Sequence, residues 1–215
     1  MEVSRDTLDI INNFIKTRVS DANSNGVVLG LSGGIDSAVT LSLSVAALGS
    51  DGVTGLIMPY KHTESVDLAK HHAEQLNVNT ETVSIKQIVE SFKSSSSLFA
   101  EKLSEGNLHS RIRMSILYGA GFSSNRLVIG TSNKSELLTG YWTKWGDGGT
   151  DFLPIGDLYK SQVYSLGEEL GVPSGILSRK PTAELWEGQT DEEEFGFTYL
   201  EPVSYTHLTL PTSPK

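Results

Sequence analysis

The chain has no cysteine in 215 residues, which excludes structural disulfides, thiolate metal sites and any cysteine nucleophile, that of a glutaminase included. It also lacks a long apolar run. The most apolar stretch, residues 26–49, is interrupted by Asp36 and several serines, and the N-terminus opens on polar and acidic residues around Asp6 and Asp9. Neither a signal peptide nor a membrane span is expected, and the expected compartment is the cytoplasm. Positive charge is scarce: 17 Lys and Arg stand against 26 Asp and Glu, for a net charge of −9, and no basic face is segregated. Nonspecific nucleic-acid binding is thereby disfavoured. An acidic protein that binds anionic nucleotides needs local devices: backbone amides, a helix N-terminus, a few cations or a metal ion. Three signatures are missing as well. No Gly-Lys-Ser or Gly-Lys-Thr follows a glycine loop, no Gly-x-Gly-x-x-Gly occurs, and the five His form no His-Glu-x-x-His pattern. Transfer of a γ-phosphate and hydride transfer both lose support.

What is present alternates between strand and helix signals. A chain of this length buries roughly 70% of its extended surface, enough for one α/β domain. Leu8, Ile11, Phe14 and Ile15 recur at helical spacing. Strands are predicted at 27–31, 53–58, 79–85 and 126–131, and helices at 37–48, 63–76, 86–92, 106–118, 133–139, 159–170 and 173–177. Residues 94–97 are four serines without periodicity and read as a solvated connector or a mobile lid, and 140–149 reads as a long glycine-rich loop. Strands alternating with helices predict a doubly wound α/β fold, a parallel sheet with helices on both faces. Beyond residue 190 the pattern decays into an acidic cluster and a tail, 201–215, with three prolines.

The strongest chemical signal is Gly30-Leu31-Ser32-Gly33-Gly34-Ile35-Asp36-Ser37 between an apolar strand and a helix. Glycines admit phosphate oxygens close to the backbone, Ser32 and Ser37 add hydroxyls, and the helix N-terminus adds partial positive charge. A tight turn would account for Gly33 and Gly34 but not for the flanking Ser and Asp. An acid at position 36, beside phosphates, calls for Mg2+ and a second carboxylate. Glu136 supplies one, just past the strand at 127–131 and at the same edge of the predicted sheet. Either acid alone is equally explained as a first-turn helix residue. Trp142 and Trp145 suit the wall of a site for a flat ring, and core packing explains them nearly as well.

The loop resembles the PP-loop of ATP pyrophosphatases, which split ATP between the α and β phosphates. Further segments resemble the ammonia-dependent NAD synthetases in order and spacing: Gly106-Asn107-Leu108-His109-Ser110-Arg111-Ile112-Arg113-Met114, residues 130–140, and Gly140-Tyr141-Trp142-Thr143-Lys144-Trp145-Gly146-Asp147-Gly148-Gly149-Thr150-Asp151. Pro181-Thr182-Ala183-Glu184-Leu185-Trp186 and Gly188-Gln189-Thr190-Asp191-Glu192 also match, so the likeness spans approximately residues 1–200. It implies an adenine nucleotide alpha-hydrolase-like, Rossmann-like fold and amidation of deamido-NAD by ammonia with ATP, through an adenylate. Residues 30–37, that is Gly30, Leu31, Ser32, Gly33, Gly34, Ile35, Asp36 and Ser37, would contact ATP together with Thr131, Lys160 and Thr182. Asp36 and Glu136 would hold Mg2+, and Arg111, Lys144 and Asp151 would bind deamido-NAD. Lys160 would neutralise departing pyrophosphate, and Asp147 is the candidate to attract ammonium and take its proton. The resemblance further implies a homodimer.

Two competing readings keep the glycine loop. Another PP-loop amidating or thiolating ligase would normally bring a glutaminase, cysteine chemistry or a basic tRNA-binding surface, and a nonhydrolytic nucleotide-binding module would not need both Asp36 and Glu136. The sequence departs from the family at its end. The family continues into a helical segment with a His-Lys pair, whereas residues 203–212 resemble translated adapter sequence, and the pair's role does not carry over to His207. The synthetase domain is therefore expected over 1–201 and a non-native tail over 202–215. Deleting 202–215 is expected to leave catalytic rate and melting temperature nearly unchanged, and a marked loss of either in a side-by-side assay would count against that boundary.

Overall fold

The computed structural model describes residues 5–179; Thr182, the segments of 181–192, the boundary at 201 and the tail with His207 lie outside them. The chain runs α1 (Arg5–Asp21), β1 (Val27–Gly30), α2 (Ile35–Leu48), β2 (Val53–Ile57), α3 (Glu64–Gln75), β3 (Asn79–Thr82), α4 (Lys86–Ser95), α5 (Lys102–Ser124), β4 (Leu127–Val128), α6 (Lys134–Thr139), α7 (Lys160–Glu169) and α8 (Ser174–Leu177). Short 3-10 turns sit at Ser50–Gly52 and Ser97–Phe99. No helix among the described residues is long and apolar enough to cross a membrane.

The sheet is buried on both faces because its strands are apolar at consecutive positions. In β1, Val27 and Leu29 join one core while Val28 joins the other, and in β2 Val53 and Ile57 are divided from Leu56 in the same way. The first core takes Ile15 from α1, Ile35 and Val39 from α2, Val66 from α3, Leu166 from α7 and Ile176 from α8. The second takes Val89 from α4 and Leu108 and Ile112 from α5. Each fully buried Leu or Ile contributes about 1.5–3 kcal/mol, so two such cores hold the sheet between helical layers.

All four strands are parallel in the order β3-β2-β1-β4, with Val27 paired to Val53 on one side and to Leu127 on the other. The chain steps outward from β1 to β3, and α4 and α5 then carry it back to lay β4 on the opposite side of β1. The direction of winding thus reverses between β1 and β4. In open α/β sheets, ligands bind beyond the carboxyl ends of the strands at such a reversal. The expected doubly wound architecture is the one observed.

β3 ends at Thr82, short of the expected residue 85, and α5, Lys102–Ser124, outruns the expected 106–118. Two further differences have visible partners. The strand expected at 126–131 pairs with β1 over only two residues; beyond them Ile129 bridges to Phe152 in parallel, and Asp151 fills the outer edge of Val128, whose N–H donates to the Asp151 side chain at 2.7 Å and whose carbonyl accepts from the Asp151 amide at 2.9 Å. Residues 94–97 are not an open loop. α4 runs through Ser95, whose hydroxyl donates to the Phe92 carbonyl as Ser94 does to Ser91, and Ser96 caps the following turn.

In the second core His109 is 2% exposed, stacks on Tyr60 with centroids 4.7 Å apart, and has no hydrogen-bond partner at either ring nitrogen. Burial, and next the Arg113 guanidinium, push its pKa down to about 4. The fold keeps this ring neutral while the unfolded chain takes up a proton near pH 6.5. Its contribution is therefore complete above that pH and is lost as pH falls toward 4. His109→Phe retains a ring against Tyr60 and removes the titration. Between pH 6.5 and 4.5 the wild type is expected to lose about 2 kcal/mol more than the variant in urea unfolding; parallel profiles would contradict this.

Candidate active site

Two loops meet at the reversal. After β1 the chain turns around a pair of hydroxyls: the Ser32 amide donates to Ser37 Oγ at 3.3 Å, Ser37 Oγ donates to the Gly34 carbonyl at 2.9 Å, and the Gly34 amide donates to Ser32 Oγ at 3.2 Å. Gly33 has φ +79°, and a Cβ there would lie 2.1 Å from the Ser65 carbonyl oxygen, so only glycine fits. Arg179 donates to the Gly33 carbonyl at 3.1 Å and holds the turn from outside. Among the described residues no side chain caps α2 at Gly34, and first-turn amides of this kind suit an anion. Leu31 and Ile35 are buried beneath the turn, and Gly30 closes β1.

After β4, Thr131 and Ser132 lead into a capping box. The Glu136 amide donates to Asn133 Oδ1 at 3.1 Å, and the Asn133 amide donates to Glu136 Oε2 at 3.2 Å. Fully buried Asn133 also donates from Nδ2 to Asp36 Oδ1 at 2.9 Å, joining residues 97 positions apart. Lys160, at the first turn of α7 and 3% exposed, brings its ammonium to 2.5 Å from Asp36 Oδ2 and 3.6 Å from Glu136 Oε1. Its backbone amide donates to Ser135 Oγ at 3.1 Å. The two acids singled out from the sequence thus share one cation at one edge of the sheet, and the N-termini of α2, α6 and α7 converge there. Two carboxylates aimed at a single cation are a hard oxygen donor set of the kind magnesium takes.

The remaining expected residues lie along α5. Arg111 Nε donates to the Lys144 carbonyl at 3.2 Å, and the Lys144 ammonium rests 5.7 Å from the Trp145 ring centroid. Two turns on, Tyr118 donates to Asp151 Oδ1 at 3.1 Å; burial, and next the Asp151 charge, push the phenol pKa up to about 12, so it remains a donor. Asp147 Oδ1 accepts from Ser110 Oγ at 2.6 Å and from the Thr143 amide at 3.0 Å, which pins the 140–149 loop to α5. Trp142 and Trp145 are 40% and 67% exposed, so the core-packing explanation fails for both.

Sequence reasoning missed Asn133 and Ser110 as organising residues. The spacing of Asn133 and Glu136 is a legible capping-box signal, whereas nothing local marks Ser110.

A model of the family described as NAD synthase matches residues 7–207. The chain is 48% identical to the NH3-dependent NAD+ synthetase of Thermococcus kodakarensis, over 91% of this chain and 77% of the relative. It is 52% identical to that of Archaeoglobus fulgidus, over 87% and 77%. Among solved structures, an NMN synthetase from Francisella tularensis superposes with a TM-score of 0.88 at 41% identity, covering 93% of this chain and 84% of that one. An NH3-dependent NAD synthetase from Campylobacter jejuni gives 0.77 at 40%, covering 80% and 76%. The likeness thus runs through most of both chains in each pairing, and this chain belongs to the NAD synthase family.

Proposed function

We propose that this ligase amidates the nicotinate carboxylate of deamido-NAD with ammonia at the expense of ATP, releasing NAD, AMP and pyrophosphate. The observation that carries the reading is the convergence of Asp36 and Glu136 on one cation beside the uncapped N-terminus of α2. ATP lies along residues 30–37 with its phosphates on the α2 amides, Thr131 and Lys160 beside them, and Thr182 outside the described residues. Asp36 and Glu136 hold Mg2+, which supplies positive charge to phosphate oxygens when bound. The use of ATP supports a cytoplasmic site of action.

A carboxylate resists amine attack because oxide would have to leave. The nicotinate oxygen therefore attacks the α-phosphorus, the α–β bridging bond breaks, and pyrophosphate departs with its charge held by Lys160 and the amides of α2. Arg111, Lys144 and Asp151 orient deamido-NAD from the α5 side. Ammonia then adds to the acyl carbon and AMP leaves. Asp147 attracts ammonium and takes its proton through Oδ2, since Oδ1 is committed to Ser110 and Thr143.

A homodimer is part of this reading. Arg111, Ser115, Tyr118 and Phe122 fall on one stripe of α5, with Phe122 92% exposed, and a second copy that covers the stripe also encloses the dinucleotide residues.

Pyrophosphate release from ATP is expected to require deamido-NAD, and amide formation to require ammonium, with glutamine unable to replace it. The Francisella neighbour makes nicotinate mononucleotide the acceptor to run in parallel. Release without any acceptor, or with the mononucleotide alone, would overturn the proposal. Asp36→Asn or Glu136→Gln should lower kcat by about 100-fold or more, and Arg111→Met should raise KM for deamido-NAD at least about tenfold with a smaller change in kcat.

Phe122→Glu is expected to halve the mass measured by light scattering. A mass unchanged from the wild-type dimer would move the interface off α5.

A further inference from the structure

The Lys160 ammonium stands between the two carboxylates that would hold a divalent ion. It is 2.5 Å from one Asp36 oxygen and 3.6 Å from one Glu136 oxygen, while the second oxygen of each acid is held by Asn133. Turning either carboxylate away would break its bond to Asn133. Magnesium binds oxygen at about 2.0–2.1 Å, so it cannot take the point between these two oxygens while the ammonium stands there. The lysine backbone is also fixed, by α7 and by the 3.1 Å bond to Ser135 Oγ, so only the flexible four-carbon stem can carry the charge aside. A buried ammonium leaves its counter-ions only for another anion. A triphosphate laid on the open first turn of α2, beside Asp36, is such an anion.

We propose that Lys160 is an internal counter-ion that keeps the divalent-cation site shut until a nucleoside triphosphate draws its ammonium away, so that metal and nucleotide enter together. The inference rests on the reading of Asp36 and Glu136 as metal ligands. It adds to the phosphate role of Lys160 a second one, exclusion of free divalent ions from the empty enzyme.

Mn2+ serves as the probe, followed by electron paramagnetic resonance with and without α,β-methylene-ATP, whose α–β linkage cannot be cleaved, against protein-free controls. Wild-type protein alone is expected to bind Mn2+ at least tenfold more weakly than Lys160→Met alone, and to gain a tight site when the analogue is added. Lys160→Gln provides a second variant should Lys160→Met fold poorly. In thermal unfolding, Mn2+ alone should raise the melting temperature of either variant and leave that of the wild type unchanged. Equal Mn2+ affinity of wild type and variants without nucleotide, or a wild type stabilised by Mn2+ alone, would overturn the counter-ion role and leave the two-carboxylate site standing. No Mn2+ site in the wild type even with the analogue would instead remove the metal reading, and the inference with it.

Discussion

The ion triad of Asp36, Lys160 and Glu136 is the constraint around which this end of the molecule is built. Three charged side chains removed from most solvent would be costly if any one lacked a partner, since an unpaired buried charge destabilises by several kcal/mol, about 3–5 in typical cases. Each charge comes from the start of a different helix, so satisfying them fixes how α2, α6 and α7 approach one another. Helix N-termini carry partial positive charge, which favours the two acids and disfavours the lysine. The arrangement is held together by electrostatics yet leaves the ammonium as its most displaceable member.

Asn133 shows why an uncharged residue is needed at the centre. Its amide nitrogen donates to Asp36 while its amide oxygen accepts from the Glu136 backbone, two tasks of opposite polarity in a fully buried position. An aspartate could accept from Glu136 but would repel Asp36, and a leucine would leave both groups without partners. The capping box also divides the labour of Glu136: Oε2 secures the helix start, and Oε1 remains for the cation. A local device for beginning a helix thereby aims the free end of Glu136 at the Lys160 ammonium.

The fold was legible wherever apolar runs ended in glycine or a polar turn. β1, β2, α2 and α7 fall within two residues of their expected bounds because burial alone dictates them. β4 was overextended because its ladder with β1 ends at Val128 and the chain then pairs with Asp151 and Phe152, 23 residues on, and no local pattern encodes that. The serine run was misjudged for the opposite reason: short side chains bonded to carbonyls three residues back extend α4 without apolar periodicity. In the site, residue type and spacing singled out the two acids, the family resemblance singled out Lys160, and the structure brings the three together. Asn133 and Ser110 act across 97 and 37 residues, a relation that exists only once the sheet is assembled.

The same distinction bears on the loop that follows α6. Trp145 has φ +61°, a conformation costing an ordinary side chain about 1 kcal/mol or more, and its ring is two-thirds exposed. Burial of that ring therefore does not offset the strain. The offset comes from Asp147, whose one oxygen takes both the Ser110 hydroxyl and the Thr143 amide, and from Gly146, where a Cβ would lie 2.7 Å from Ser110 Oγ. Asp147 thus anchors the loop that presents Lys144 and both tryptophans to solvent. The proposed proton transfer is compatible with anchoring in one carboxylate only because the two would use different oxygens.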